Sequence, residues 1–157
     1  MDDVTVARAV HILAVVHWIG GVALVTAVIL PTLRRLGAPS LRLALFTAVE
    51  GRFSAQAKVS VTLAGLTGLW MTHRLDAWDR FLDPAAWWMH AMAAVWAVFM
   101  VGLFVVEPLL ADAWLRRHAA RDPDGVLALI WRLHVVLLVS SVVTVAAAVA
   151  GAHGQLG

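Results

Sequence analysis

The sequence predicts an all-α integral membrane protein, an antiparallel four-helix bundle of four transmembrane spans. Three observations carry this. Of 157 residues, 62% are hydrophobic and 14% are charged, whereas a soluble domain runs near half apolar and about a quarter charged. The mean hydropathy is +0.85. Four apolar stretches come close to or exceed the roughly 20 residues that a helix needs to cross the hydrocarbon layer, and short connections favour up-down packing.

The first stretch runs over residues 6–30 and is expected to close at Pro31. It reads as a retained span: Asp2 and Asp3 stand where a signal peptide carries basic residues, and the apolar run is too long for a signal core. The second covers 55–72, with an amphipathic stretch over 39–53 that extends the helix at the surface. The third covers 85–110 and the fourth 126–152. One domain is the natural count at this length.

The loops orient the spans. Arg34, Arg35, Arg42 and Arg52 lie between the first two spans, and Arg116, Arg117 and Arg121 between the last two. The middle loop sets Arg74 and Arg80 beside Asp76, Asp79 and Asp83. Basic loops mark the cytoplasmic side, so both termini and the acidic loop are expected to face outward. Trp78, Trp87 and Trp88 suit an outer aromatic belt, and Trp114 and Trp131 an inner one.

Composition also excludes. With no cysteine, disulfides, thiolate metal sites, Fe–S clusters, covalent haem and thiol catalysis are absent. The 12 basic against 10 acidic residues give no electrostatic case for nucleic acid. No nucleophilic triad, phosphate loop or paired-carboxylate site is present. The seven histidines are the main source of chemistry.

Small and polar residues mark helix contacts in membranes. The expected inward faces are His17 with Gly20 and Gly21; Lys58, Thr62, Gly65, Leu69 and Thr72; His90 with Ala93, Ala94 and Ala97; and His134 with Ser141 and Ala148. At 1.5 Å per residue, His11 and His90 each lie about 7 Å below the outer ends of their spans, and His17 and His134 lie near mid-membrane. Intramembrane ionisable groups are functional candidates. Paired imidazoles at one depth suit bis-histidine ligation of haem b, with His11 and His90 as ligands and Arg8, one turn outward, toward a propionate. His17 and His134 form the alternative pair. Lys58 and Glu107, near the cytoplasmic boundary, are expected to pair with each other, with Arg132 nearby. His73, His118 and His153 read as surface residues.

Copper is the competing occupant, since imidazole and thioether both suit it and Met89 and Met92 flank His90. Zinc catalysis lacks a base near the histidines. A structural subunit of a membrane complex, its histidines bonding only between helices, is a further alternative.

The run His11-Ile12-Leu13-Ala14-Val15-Val16-His17-Trp18-Ile19-Gly20-Gly21 resembles the first span of CopD-like copper-resistance membrane proteins. It is similar also to the HemJ-type protoporphyrinogen oxidases. Arg52 through Gly65, Gly68 and Met71, then Trp87-Trp88-Met89-His90, Phe104-Val105-Val106-Glu107-Pro108 and Ala150-Gly151-Ala152-His153-Gly154 look like a bacterial CopD-like group. The HemJ resemblance implies haem association at His11 and His90. The lysine that follows the third-span histidine in that pattern is replaced here by Ala91, Met92 and Ala93, a departure that leaves a porphyrin-oxidising enzyme as the weakest of the alternatives the resemblance implies. The CopD resemblance implies copper handling. Together with the bundle these point to a haem b electron-transfer protein, with the lipid bilayer, a quinone and a periplasmic redox protein as partners, working as a homo-oligomer or complex subunit.

Overall fold

A computed structural model describes residues 2–119 and 121–154. Among these the chain is helical with no strand: α1 (Asp3–Arg34), α2 (Pro39–Arg74), α3 (Pro84–Leu110), α4 (Asp112–Ala119) and α5 (Pro123–Ala152). Three of them, α1, α3 and α5, are long and apolar enough to cross a membrane. Their outer faces carry Leu13, Leu24, Val101, Leu109, Val136 and Val143, all exposed. Such continuous apolar surface marks contact with lipid or partner rather than water.

The helix starts follow from side-chain caps. Asp2 accepts the amide N–H of Thr5 at 2.6 Å, and Asp122 accepts that of Gly125 at 2.9 Å, each satisfying a donor that has no intrahelical partner. A Cβ at position 125 would strike the Asp122 carboxylate. Pro39, Pro84 and Pro123 each open a helix, where the missing N–H costs nothing.

Pro31 does not end the first span, contrary to expectation: α1 continues to Arg34. The proline cannot donate and its ring crowds the carbonyl four residues back, which belongs to Ala27. The helix widens into a π-helical segment over Val25–Ile29, immediately before it. The same happens in α3, where π-helical turns run over Gly102–Ala111 around Pro108. The amphipathic 39–53 stretch and the second span form one continuous helix of 36 residues. That helix carries Arg42, Glu50, Arg52, Gln56 and Lys58 and is less apolar than the other three long ones.

Neighbouring long helices run antiparallel. At one end Arg74 of α2 pairs with Asp3 of α1 at 2.9 Å. At the other, Arg42 of α2 pairs with Asp124 of α5, and Arg34 lies over the Trp131 ring at 5.7 Å. α1 packs chiefly on α2 and α3 on α5, while α1–α5 and α2–α3 contacts close the ring. The diagonal helices α1 and α3 meet through Trp18 and Phe99, edge to face at 4.6 Å. This contact centres a core with Ala14, Val22, Val61 and Ala64.

Rings seated in glycine notches fix the helix faces. Phe53 occupies the space beside Gly21, Trp96 that beside Gly65, and Trp88 that beside Gly151. Trp96 also donates its indole N–H to the Val61 carbonyl at 2.9 Å. These contacts correct two expected inward faces. On α3 the interior face carries Val95, Trp96 and Phe99, while His90, Ala93, Ala94 and Ala97 are exposed. On α1, His17 and Gly20 are exposed and Gly21 alone of that group packs inward. The reason is volume: a tryptophan reaching a glycine on the next helix buries more surface than alanine against alanine. On α2 the most buried positions are Phe46, Ser54, Ala57, Val61 and Ala64, and the last four form a stripe next to the expected one. On α5, Ser141 is buried and His134 and Ala148 are partly buried, as expected.

Candidate functional site

Two places hold the chemistry, one toward each end of the helices. Toward the Asp3–Arg74 end, His11 lies between α1 and α2. Its Nδ1 is 2.9 Å from the Ala64 carbonyl oxygen and 3.1 Å from Thr67 Oγ1. A carbonyl only accepts, so Nδ1 carries the proton and donates. The Thr67 hydroxyl gives its own proton to the Leu63 carbonyl at 2.6 Å, which leaves its oxygen able to accept from His11. The remaining nitrogen, Nε2, therefore carries the lone pair. Gly68 makes room for the ring: a Cβ there would come within 3.3 Å of His11 Cε1.

The other predicted histidines are dispersed. His90 is exposed and packs edge-on against Phe81 of the α2–α3 connection, 5.6 Å between ring centres. Arg8 and His17 are exposed on α1. His134 is partly buried and donates from Nδ1 to the Ile130 carbonyl at 2.9 Å, so its Nε2 also carries the lone pair. His118 stacks on Trp114 and, like His153, is exposed. Among the described residues no group of three or more His, Cys, Asp or Glu is arranged to hold a metal ion.

Toward the Arg42–Asp124 end, all four long helices line a cavity of about 270 Å³. Its walls are mostly apolar, with Val22, Val25, Phe53, Phe99 and Leu137 among them; Glu50, Ser54, Glu107 and His134 supply polar groups. Glu107 accepts from the Ser54 hydroxyl and pairs with Lys58 at 3.4 Å. The Lys58–Glu107 pair matches its sequence expectation. Ser54 and Lys58 stand four residues apart on one face of α2, where side chains are neighbours. The sequence reading did not single out Glu50 or Ser54; the i, i+4 series Glu50-Ser54-Lys58 was the available signal.

A haem can be tested against these residues. In kind, His11 fits an axial ligand: a metal-bound histidine characteristically donates its other ring N–H to a carbonyl or carboxylate. The cavity does not fit the macrocycle. Its volume falls below the roughly 300–1,000 Å³ of sites for drug-sized ligands, and His11 and His90 are not among its lining residues. No family model, no curated protein and no solved structure matches the chain.

Proposed function

We propose that this chain is a four-span membrane protein of the redox class that carries a b-type haem on His11 and transfers electrons. α2 serves as the fourth span, with two of its charges turned to neighbours: Lys58 to Glu107 and Arg42 to Asp124. The arginine-rich connections lie on the cytoplasmic side, with both termini outside a bacterial inner membrane. The observation that carries the reading is the His11 geometry. α2 holds the imidazole by its Nδ1 proton, through Ala64 and Thr67, and leaves Nε2 as a ligand.

The proposed second ligand is His90, although the structure leaves it exposed and against Phe81. It lies about 9 Å along α3 from Pro84, as His11 lies about 12 Å along α1 from Asp3, on the helix diagonal to α1. Arg8, one turn outward of His11, is the cation for a propionate. Bound there, a b haem would supply a one-electron couple, its potential set by the imidazoles, burial and hydrogen bonds.

The test is the visible spectrum of protein purified from haem-replete cells, with metal analysis beside it. A Soret band, one unsplit reduced α-band and iron equal to chain support the reading. Copper without iron supports the copper-handling alternative. A colourless, metal-free protein leaves the structural-subunit reading.

A further inference from the structure

The two π-helical segments among the described residues border the same cavity. Val25 and Ile29 come from the α1 segment, and Gly102, Leu103, Val106 and Glu107 from the α3 segment. π-Helical turns are rare, well under 1% of residues, and are frequent at functional sites. Here two of them, on diagonal helices, widen the space between the same four helices.

We propose that this cavity binds the head group of a lipophilic quinone or quinol: one ring with oxygens on opposite edges and an apolar tail. Three properties select that class. The first is size, since about 270 Å³ takes a single substituted ring and excludes a porphyrin. The second is access. Val98 and Val106 line the cavity and are 54% and 43% exposed, so it opens sideways on the apolar flank of α3, the route of a ligand dissolved in the bilayer.

The third property is the pattern of donors and acceptors. The Glu107 carboxylate is held by Ser54 and Lys58 and retains lone pairs for a ligand hydroxyl. On the α5 wall, His134 has spent its Nδ1 proton on Ile130 and keeps Nε2 as an acceptor. Two acceptors from different helices suit the two hydroxyls of a quinol. On the α1 wall Trp18 is 4% exposed, and its indole N–H has no partner among the described residues. It is a donor for the carbonyl of the oxidised ring. Phe46, Phe53 and Phe99 supply apolar faces. The proposal names the electron donor of the reading above and rests on that reading for its role.

The test is calorimetric titration of the full chain in lipid nanodiscs with decylubiquinol and decylubiquinone, without reference to colour. Saturable binding is expected, weakened about tenfold or more by Glu107→Gln or His134→Phe and blocked by Ala57→Leu, which fills the cavity. Thermal unfolding of each variant identifies those that fail to fold, and Val98→Trp, which narrows the opening without touching a polar group, provides an independent check by slowing entry. Absence of saturable binding overturns the proposal. So does binding whose affinity ignores Glu107 and His134, whose rate ignores Val98, and which is displaced equally by a plain alkyl lipid. A colourless protein that binds the quinol with these dependences defeats the haem reading and leaves this site standing; a haem-bearing protein that binds none does the reverse.

Discussion

His11 and Ala64 are joined across α1 and α2: the imidazole Nδ1–H donates to the Ala64 carbonyl at 2.9 Å, beside a glycine that leaves room for the ring. A carbonyl within a helix normally serves its own helix, so this one accepts a further hydrogen bond through its other lone pair. The bond fixes both the orientation and the tautomer of His11. Thr67, also in contact with Nδ1, is the adjustable part. If His11 carries the proposed haem, Thr67→Val is expected to keep it bound but weaken it roughly 10–100-fold, as loss of a ligand's supporting hydrogen bond does. Haem retention during dilution and the midpoint potential both read this.

Filling a notch should cost stability without touching a ligand. Gly65→Leu places a side chain where Trp96 sits and is expected to destabilise the fold by about 1–3 kcal/mol or more, as overpacking does. Trp96→Phe keeps most of the ring but loses the bond to Val61, leaving a cost of about 1 kcal/mol. Reversible unfolding in mixed detergent measures both.

The Lys58–Glu107 pair predicts a coupled response. Lys58→Met leaves the carboxylate with Ser54 as its remaining described donor and is expected to cost about 1–3 kcal/mol. Adding Glu107→Gln removes the charge that the first change strands, so the double variant should recover part of that loss. A double-mutant cycle with a coupling of about 0.5–3 kcal/mol supports this; strict additivity refutes it.

At the N-terminus a pH dependence follows from the cap. Hydrogen bonding from Thr5, its side chain first and its amide second, with a smaller contribution from Arg8, holds the Asp2 carboxyl below its ordinary 3.8. A depressed folded pKa gives stability that is present above the unfolded value and lost as pH falls through the folded one. The first turn of α1 is therefore expected to stay capped above about pH 5 and to fray below 3.8. Amide exchange at Thr5 and Val6 should rise over that window in the wild type, and Asp2→Asn, which keeps an acceptor without a charge, should flatten the dependence.

Topology can be read directly because the chain has no cysteine. Gly37→Cys, in the connection between α1 and α2, and Leu82→Cys, 86% exposed in that between α2 and α3, should react with an impermeant maleimide from opposite sides. Labelling of both from one side would mean that α2 does not cross.

The legibility of this fold was uneven for physical reasons. Length and apolarity alone identify α1, α3 and α5, because spanning helices must satisfy their backbone internally. Pro31 misleads because a helix can absorb a proline by widening the preceding turn, and nothing local distinguishes that from a stop. The face of α3 misleads differently. Small residues at Ala93, Ala94 and Ala97 suggest close approach, but the notches that receive Trp96 and Trp88 are Gly65 and Gly151 on other helices. That pairing depends on register, which one helix cannot reveal. At the site, Lys58 and Glu107 were readable as opposite charges at one depth. Glu50 was not singled out because it lies in the 39–53 stretch read as a surface extension, and Ser54 because it falls between that stretch and the expected span; both sit on one continuous helix.

The measurement that bears most directly on the account is the reduced-minus-oxidised absorption spectrum of the purified wild type beside His11→Ala. A single low-spin b-type signature in the wild type, lost in His11→Ala while the helical content and unfolding midpoint stay close to wild type, is the expected result. A wild-type spectrum with no haem band, or one that persists unchanged when His11 is replaced, contradicts the assignment of His11 as the ligand.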